Sequence, residues 1–203
     1  MAIITITRRY ASGGRKLGRH LANVLHYRYV DKHIFQKVAD NLKVSEGDLE
    51  SFEKSGQYRI LSIFSRLFDK RYIERIVGYD KTVVQESDYQ EALKNLVLEV
   101  ARENNVVIVG RAAHFFLKNL QDCYHIRLIA SHEWRRNYAI ESLRVRPTNV
   151  DAILDERDRN HEWFLSMICG KDIDNPLLFH MSINVDLVSF EKAAELSLAL
   201  LNR

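Results

Sequence analysis

The chain reads as an α/β layer fold with a mainly parallel sheet. Three observations predict it. Apolar runs of strand length alternate with helical patterns, a glycine-bearing turn directly follows the first run, and with 2 prolines in 203 residues no stretch resembles an interdomain linker.

Residues 2–7 are rich in β-branched side chains and stop at Arg8 and Arg9, ahead of the turn Ala11-Ser12-Gly13-Gly14. Leu17, Leu21, Val24 and Leu25 then recur at helical spacing. A short apolar piece, 27–30, leads to Asp31, which can cap a helix carrying Ile34, Phe35 and Val38. Two charged helical patterns fill 45–79. Ala92, Leu93, Leu96, Val97 and Val100 form an amphipathic stripe, and 106–109 is a buried strand by composition that ends at Gly110 and Arg111. A further strand is expected over 124–130, with Ser131 as N-cap of the helix that follows. The chain closes with a helix over 148–168, a strand over 181–185 and a helix over 190–201.

A 46% hydrophobic chain of this length buries a substantial core and suits one domain. A net charge of +3 with 28% charged residues lacks the imbalance of a nucleic-acid binder, so no specific nucleic-acid partner is expected. Cys123 and Cys169 have no metal-ligand spacing and are expected to be buried thiols in a reducing compartment; the histidines show no i, i+4 pairing with a carboxylate. No metal site is expected. The first apolar run is too short for a signal peptide, and no run reaches the roughly 18 apolar residues of a membrane span. A cytoplasmic location without membrane contact is the expectation.

In a strand-loop-helix unit the loop amides and the helix N-terminus converge on one point and form an anion site. Ser12, Gly13 and Gly14 occupy such a loop, with Arg15 and Lys16 directly after it. The pattern G-x-x-x-x-G-K-[ST] is met only in part, because Arg9, Arg15 and Lys16 stand at the Gly, Lys and Ser/Thr positions. Two adjacent glycines also suit a plain connection.

The whole segment Ile4-Thr5-Ile6-Thr7-Arg8-Arg9-Tyr10-Ala11-Ser12-Gly13-Gly14-Arg15-Lys16-Leu17-Gly18 resembles the opening of the cytidylate kinase-like family, where I-S-R-x-[YF]-G-S-G-G-R-x-[IL]-[GA] replaces the usual loop. Tyr27-Arg28-Tyr29-Val30-Asp31-Lys32, Val107-Ile108-Val109-Gly110-Arg111, Gly170-Lys171-Asp172 and Ile183-Asn184 extend the resemblance over nearly the whole chain. It implies a P-loop NTPase-type three-layer fold with helices on both faces of the sheet. It also implies one domain over 1–203, with an acceptor-side helical insertion at about 45–80 and a helical lid at about 132–170.

The resemblance implies an ATP- and Mg²⁺-dependent nucleoside monophosphate kinase acting on CMP, dCMP or a similar small acceptor. Ser12, Gly13, Gly14, Arg15 and Lys16 would bind the donor phosphates. Arg15, Arg111, Arg135 and Asp158 would carry catalysis: Arg15 on the β- and γ-phosphates, Arg111 on the acceptor phosphate, Arg135 at the lid, and Asp158 orienting a base or a guanidinium. A solvated Arg15 and an ion-paired Arg111 are the structural alternatives. Arg136, Arg144 and Arg146 are further lid candidates, and Asp31 either caps a helix or holds a metal-bound water or an acceptor group. The chain departs from the family pattern at Ala11, which as a non-glycine is expected to need a negative φ, at Tyr138 and at His161, which removes a phosphate contact that Arg157 or Arg159 would have to replace. His161 and Tyr138 open the alternative of a non-catalytic nucleotide-binding or regulatory protein that retains the kinase fold.

Overall fold

A computed structural model describes residues 2–31, 86–170 and 175–201. The chain falls into two compact units, Met1–Asp31 with Val97–Arg203, and Lys32–Leu96. The helical insertion expected at 45–80 and the helix expected after Asp31 lie outside the described residues, as do Lys171 and Asp172.

Five strands form one parallel sheet. They are β1 (Ile3–Arg8), β2 (Arg28–Val30), β3 (Val106–Val109), β4 (Cys123–Ile129) and β5 (Met181–Asn184), in the order β2-β3-β1-β4-β5. The helices are α1 (Gly14–Leu25), α2 (Glu86–Arg102), α3 (Ala113–Phe116), α4 (His132–Glu141), α5 (Val150–Cys169) and α6 (Phe190–Ala199). The strand at 106–109 coincides with the expectation. The piece at 27–30 contributes β2, a three-residue edge strand, and α3 is a short helix that periodicity does not announce.

β1 lies at the centre, paired with β3 on one side and β4 on the other. Its alternation sorts the two faces. Ile4 and Ile6, both fully buried, join Leu17, Leu21 and Ala22 of α1 and Ala193 and Ala194 of α6 in one apolar cluster. Each such isoleucine contributes about 1.5–3 kcal/mol by leaving water. Thr5 and Thr7 face the other way, where α3 packs. Ligands of open parallel sheets gather beyond the carboxyl ends of the strands, where connections diverge to the two faces. In this sheet that place is the exit of β1, flanked by the exits of β3 and β4.

The helix entries follow local chemistry. The Ser131 hydroxyl accepts the Trp134 N–H at 3.1 Å and starts α4. The Ser189 hydroxyl accepts the Lys192 N–H at 3.2 Å and starts α6. The Ser131 N–H in turn donates to the Asp186 carboxylate at 3.0 Å, tying the exit of β4 to that of β5. Among the described residues no helix is long and apolar enough to cross a membrane.

Candidate phosphate site

β1 delivers the chain into a loop that ends at Gly13, whose φ of 76° is the left-handed conformation open to glycine. No side chain caps α1 there. The Leu17 N–H bonds to the Gly13 carbonyl at 3.0 Å, so the first-turn amides that precede it have no acceptor inside the helix. Added to the positive end of the helix dipole, they give this helix start the polarity that suits an anion. Ser12 is buried, and its hydroxyl donates to the Arg9 carbonyl at 3.1 Å; it shapes the loop from within.

Ala11 corrects an expectation. Its φ is +62°, not negative. The left-handed conformation costs a non-glycine residue roughly 1–2 kcal/mol. Its methyl group is in return buried with Ala139, Val150 and Leu154, contacts a glycine would lack.

Arg15 stands half-exposed at the start of α1, with Nε 3.6 Å from Asp31 Oδ2. Asp31 is buried at the end of β2, and the same oxygen accepts the Tyr29 hydroxyl at 2.9 Å. Burial, that hydrogen bond and the adjacent carboxylate push the Tyr29 phenol up to about 12, so it stays a donor at neutral pH. Lys16 is turned the other way, with its ammonium 4.0 Å over the Phe190 ring of α6.

The exit of β3 is strained. Gly110, Arg111 and Ala112 carry φ values of 85°, 59° and 51°, three left-handed residues in succession. The Gly110 N–H donates to the Ile6 carbonyl at 2.9 Å, which fixes this turn against β1. Two non-glycine residues held in that region concentrate backbone strain at this strand exit.

Between the two loops lies Arg8, the last residue of β1. Its side chain runs beneath Gly14, where an added Cβ would come 2.7 Å from Arg8 Cγ. Its Nη1 would lie 2.9 Å from a Cβ at Gly110. The lack of a side chain at Gly14 is what lets the Arg8 stem pass. The signal was present in sequence as the arginine of the family motif.

The outer wall of the loop comes from α4 and α5. Arg135 is 3% exposed and grips Asp158 through both terminal nitrogens, Nη1 to Oδ1 at 2.8 Å and Nη2 to Oδ2 at 2.7 Å. Its Nη1 also reaches the Tyr10 carbonyl at 3.4 Å. Arg9 adds bonds to Asp158 at 3.3 Å and to Glu162 at 2.7 Å, and the Arg157 guanidinium lies 5.8 Å over the Tyr10 ring. Asp151, Asp155, Asp158 and Glu162 recur at helical spacing on α5, and the first two meet Arg136 and His132 of α4. α4 and α5 thus pack against the loop, and Tyr138 stacks on Trp134 with ring centroids 5.2 Å apart.

On the face opposite α1 the histidines form a buried polar layer that spacing alone did not reveal. His125 Nδ1 pairs with the Thr5 hydroxyl at 2.8 Å, and His114 Nδ1 with the Thr7 hydroxyl at 2.9 Å. Burial first, then neighbouring positive charge, drives His114 down to about 3 and His125 down to about 4. Both are neutral when folded and ordinary when unfolded, so the unfolded chain binds more protons below about pH 6.5. Their contribution to stability is present above that pH and is lost as pH falls toward 4 and 3. Denaturant titrations should show stability falling through this window, and His114→Gln should flatten the slope. Both cysteines are buried without a disulfide, and burial raises the Cys123 thiol to about 12.

Comparison with known proteins agrees with this architecture. The profile of the cytidylate kinase-like family matches residues 3–187. Among solved structures the chain is similar to an uncharacterized protein from Eubacterium ventriosum, with 15% identity, TM-score 0.69, and 100% of this chain and 99% of that chain covered. It is similar to shikimate kinase from Bacteroides thetaiotaomicron, with 15% identity, TM-score 0.58 and coverage of 100% and 99%. It is also similar to a gluconokinase from Sinorhizobium meliloti, with 13% identity, TM-score 0.56 and coverage of 100% and 92%. No curated protein matches the chain. These likenesses give the three-layer α/β fold of P-loop kinases, and with 3–187 matched by the family profile the chain belongs to the cytidylate kinase-like family.

Proposed function

We propose that the chain is an ATP-dependent phosphotransferase that moves the γ-phosphoryl group of ATP to CMP, dCMP or a similar small acceptor. The observation that supports it most is the pairing of an uncapped helix start bearing Arg15 with a strained, arginine-bearing turn at the exit of the neighbouring strand.

Phosphoryl transfer requires positioning and charge neutralisation more than covalent chemistry. In this reading the amides of Gly13 and Gly14 receive the donor phosphates, and Arg15, oriented by Asp31, neutralises the charge that spreads over the γ-phosphoryl oxygens. Arg111 holds the acceptor phosphate on the β3 side. The bond from the β–γ bridging oxygen to the γ-phosphorus breaks, a bond from an acceptor oxygen forms, and ADP leaves. Arg135 and Asp158 act as positioning residues, because their ion pair is buried and touches the loop at Tyr10.

Mg²⁺ brought in with the triphosphate would offset the charge of its oxygens and would be held by the nucleotide and water. Among the described residues no group of three or more His, Cys, Asp or Glu side chains is placed to hold a metal.

A second reading, nucleotide binding without turnover, draws on Tyr138, which is stacked on Trp134 at a position where the family pattern leads one to expect a lid arginine. An ADP-release assay with Mg-ATP and CMP, dCMP, UMP or AMP separates the two, with shikimate and gluconate as the acceptors of the structural neighbours. ADP release stimulated by one acceptor is the expected result. Saturable ATP binding without stimulation by any of them favours the second reading.

A further inference from the structure

We infer that Arg8 is an anion-binding residue that grips the phosphoryl group lying between the Gly13–Gly14 loop and the Arg111 turn; this assignment rests on the phosphotransferase reading above. Arg8 ends the central strand, and its stem passes under the start of α1 while its head reaches the turn after β3. It therefore spans the two loops to which the donor and the acceptor are assigned.

The hydrogen-bonding inventory points to a ligand. A guanidinium offers five N–H donors and is never an acceptor. Among the described residues that of Arg8 makes no hydrogen bond and no ion pair. Its neighbours in charge are two further guanidinium groups, those of Arg15 and Arg111, against one carboxylate, that of Asp31. Asp31 is already engaged by Tyr29 and Arg15.

Burial and the two like charges lower the Arg8 guanidinium to about 10, the direction expected of a cation that waits for its counter-charge. Filling the passage beneath Gly14 does not require charge; a methionine has the length and lacks the repulsion.

Calorimetric titration of the full chain with Mg-ATP, Mg-ADP and inorganic phosphate, for wild type, Arg8→Met and Arg8→Lys, tests the assignment alongside thermal melts without ligand. In Arg8→Met, affinity for Mg-ATP and for inorganic phosphate should fall about tenfold or more, while affinity for Mg-ADP, which lacks the transferred group, should change less than about threefold. Arg8→Lys should recover part of the loss. The melting temperature of ligand-free Arg8→Met should equal or exceed that of wild type, because a repelled charge is gone. A lowered melting temperature with all affinities retained would make Arg8 a structural strut and overturn the assignment. An equal loss for Mg-ADP and Mg-ATP would also overturn it. Arg8-dependent phosphate binding without any nucleotide binding by wild type would sink the phosphotransferase reading and leave Arg8 in place. Nucleotide binding that Arg8→Met leaves intact would sink the assignment alone, and a wild type that binds none of the three probes sinks both.

Discussion

Asp158→Ala should destabilise the protein by about 3–5 kcal/mol, the cost of leaving a buried guanidinium without its carboxylate. Arg135 is 3% exposed, both of its terminal nitrogens bond to Asp158, and its buried Nε finds no partner among the described residues. For a chain of this size the loss corresponds to a melting temperature lower by roughly 6–20 °C. Replacing both partners, as in Arg135→Met with Asp158→Leu, should return most of that stability, because two apolar side chains of similar volume carry no desolvation penalty. The double variant should still bind Mg-ATP more weakly than wild type, since the Tyr10 carbonyl loses its donor and Arg9 loses one of its two carboxylates. Thermal melts of the three variants check the first point and ATP titration the second. A full return of both would reduce the pair to core packing.

Arg15→Ala should lower kcat/KM for phosphoryl transfer by about 10²–10³-fold, the usual effect of removing one charged donor aimed at the transition state. Its melting temperature should move little. Arg15 is half-exposed, and its loss removes both a 3.6 Å contact to Asp31 and a repulsion on Arg8. Asp31 keeps the Tyr29 hydroxyl. Arg15→Lys should fall between the two, because an ammonium retains the charge and loses the planar fork.

The features legible in sequence were those set by local periodicity. The run at 106–109 is apolar throughout because β3 is buried on both faces, and it was read to the residue. Ser131 was identified as a cap because the N-cap preference acts over three residues. The glycine pair at 13–14 announced the turn.

What escaped depended on contacts distant in sequence. β2 has three residues and an exposed start, too little for a period to show. Thr5, Thr7 and His125 read as polar positions, yet α3 covers them, and pairs 120 and 107 residues apart satisfy them. Arg8 looked like the charge that ends a strand; only the approach of Gly14 and Gly110 makes it part of the site. The left-handed Ala11 follows from burial of its methyl group on α4 and α5, which no rule of turn composition contains.

The central claim is that a triphosphate is captured at the start of α1 by the loop amides and Arg15. Titration of Mg-ATP into wild type and Arg15→Ala measures it most directly. One saturable site in wild type, weakened about tenfold or more by the substitution, is the predicted result; equal affinity in the two proteins would contradict it.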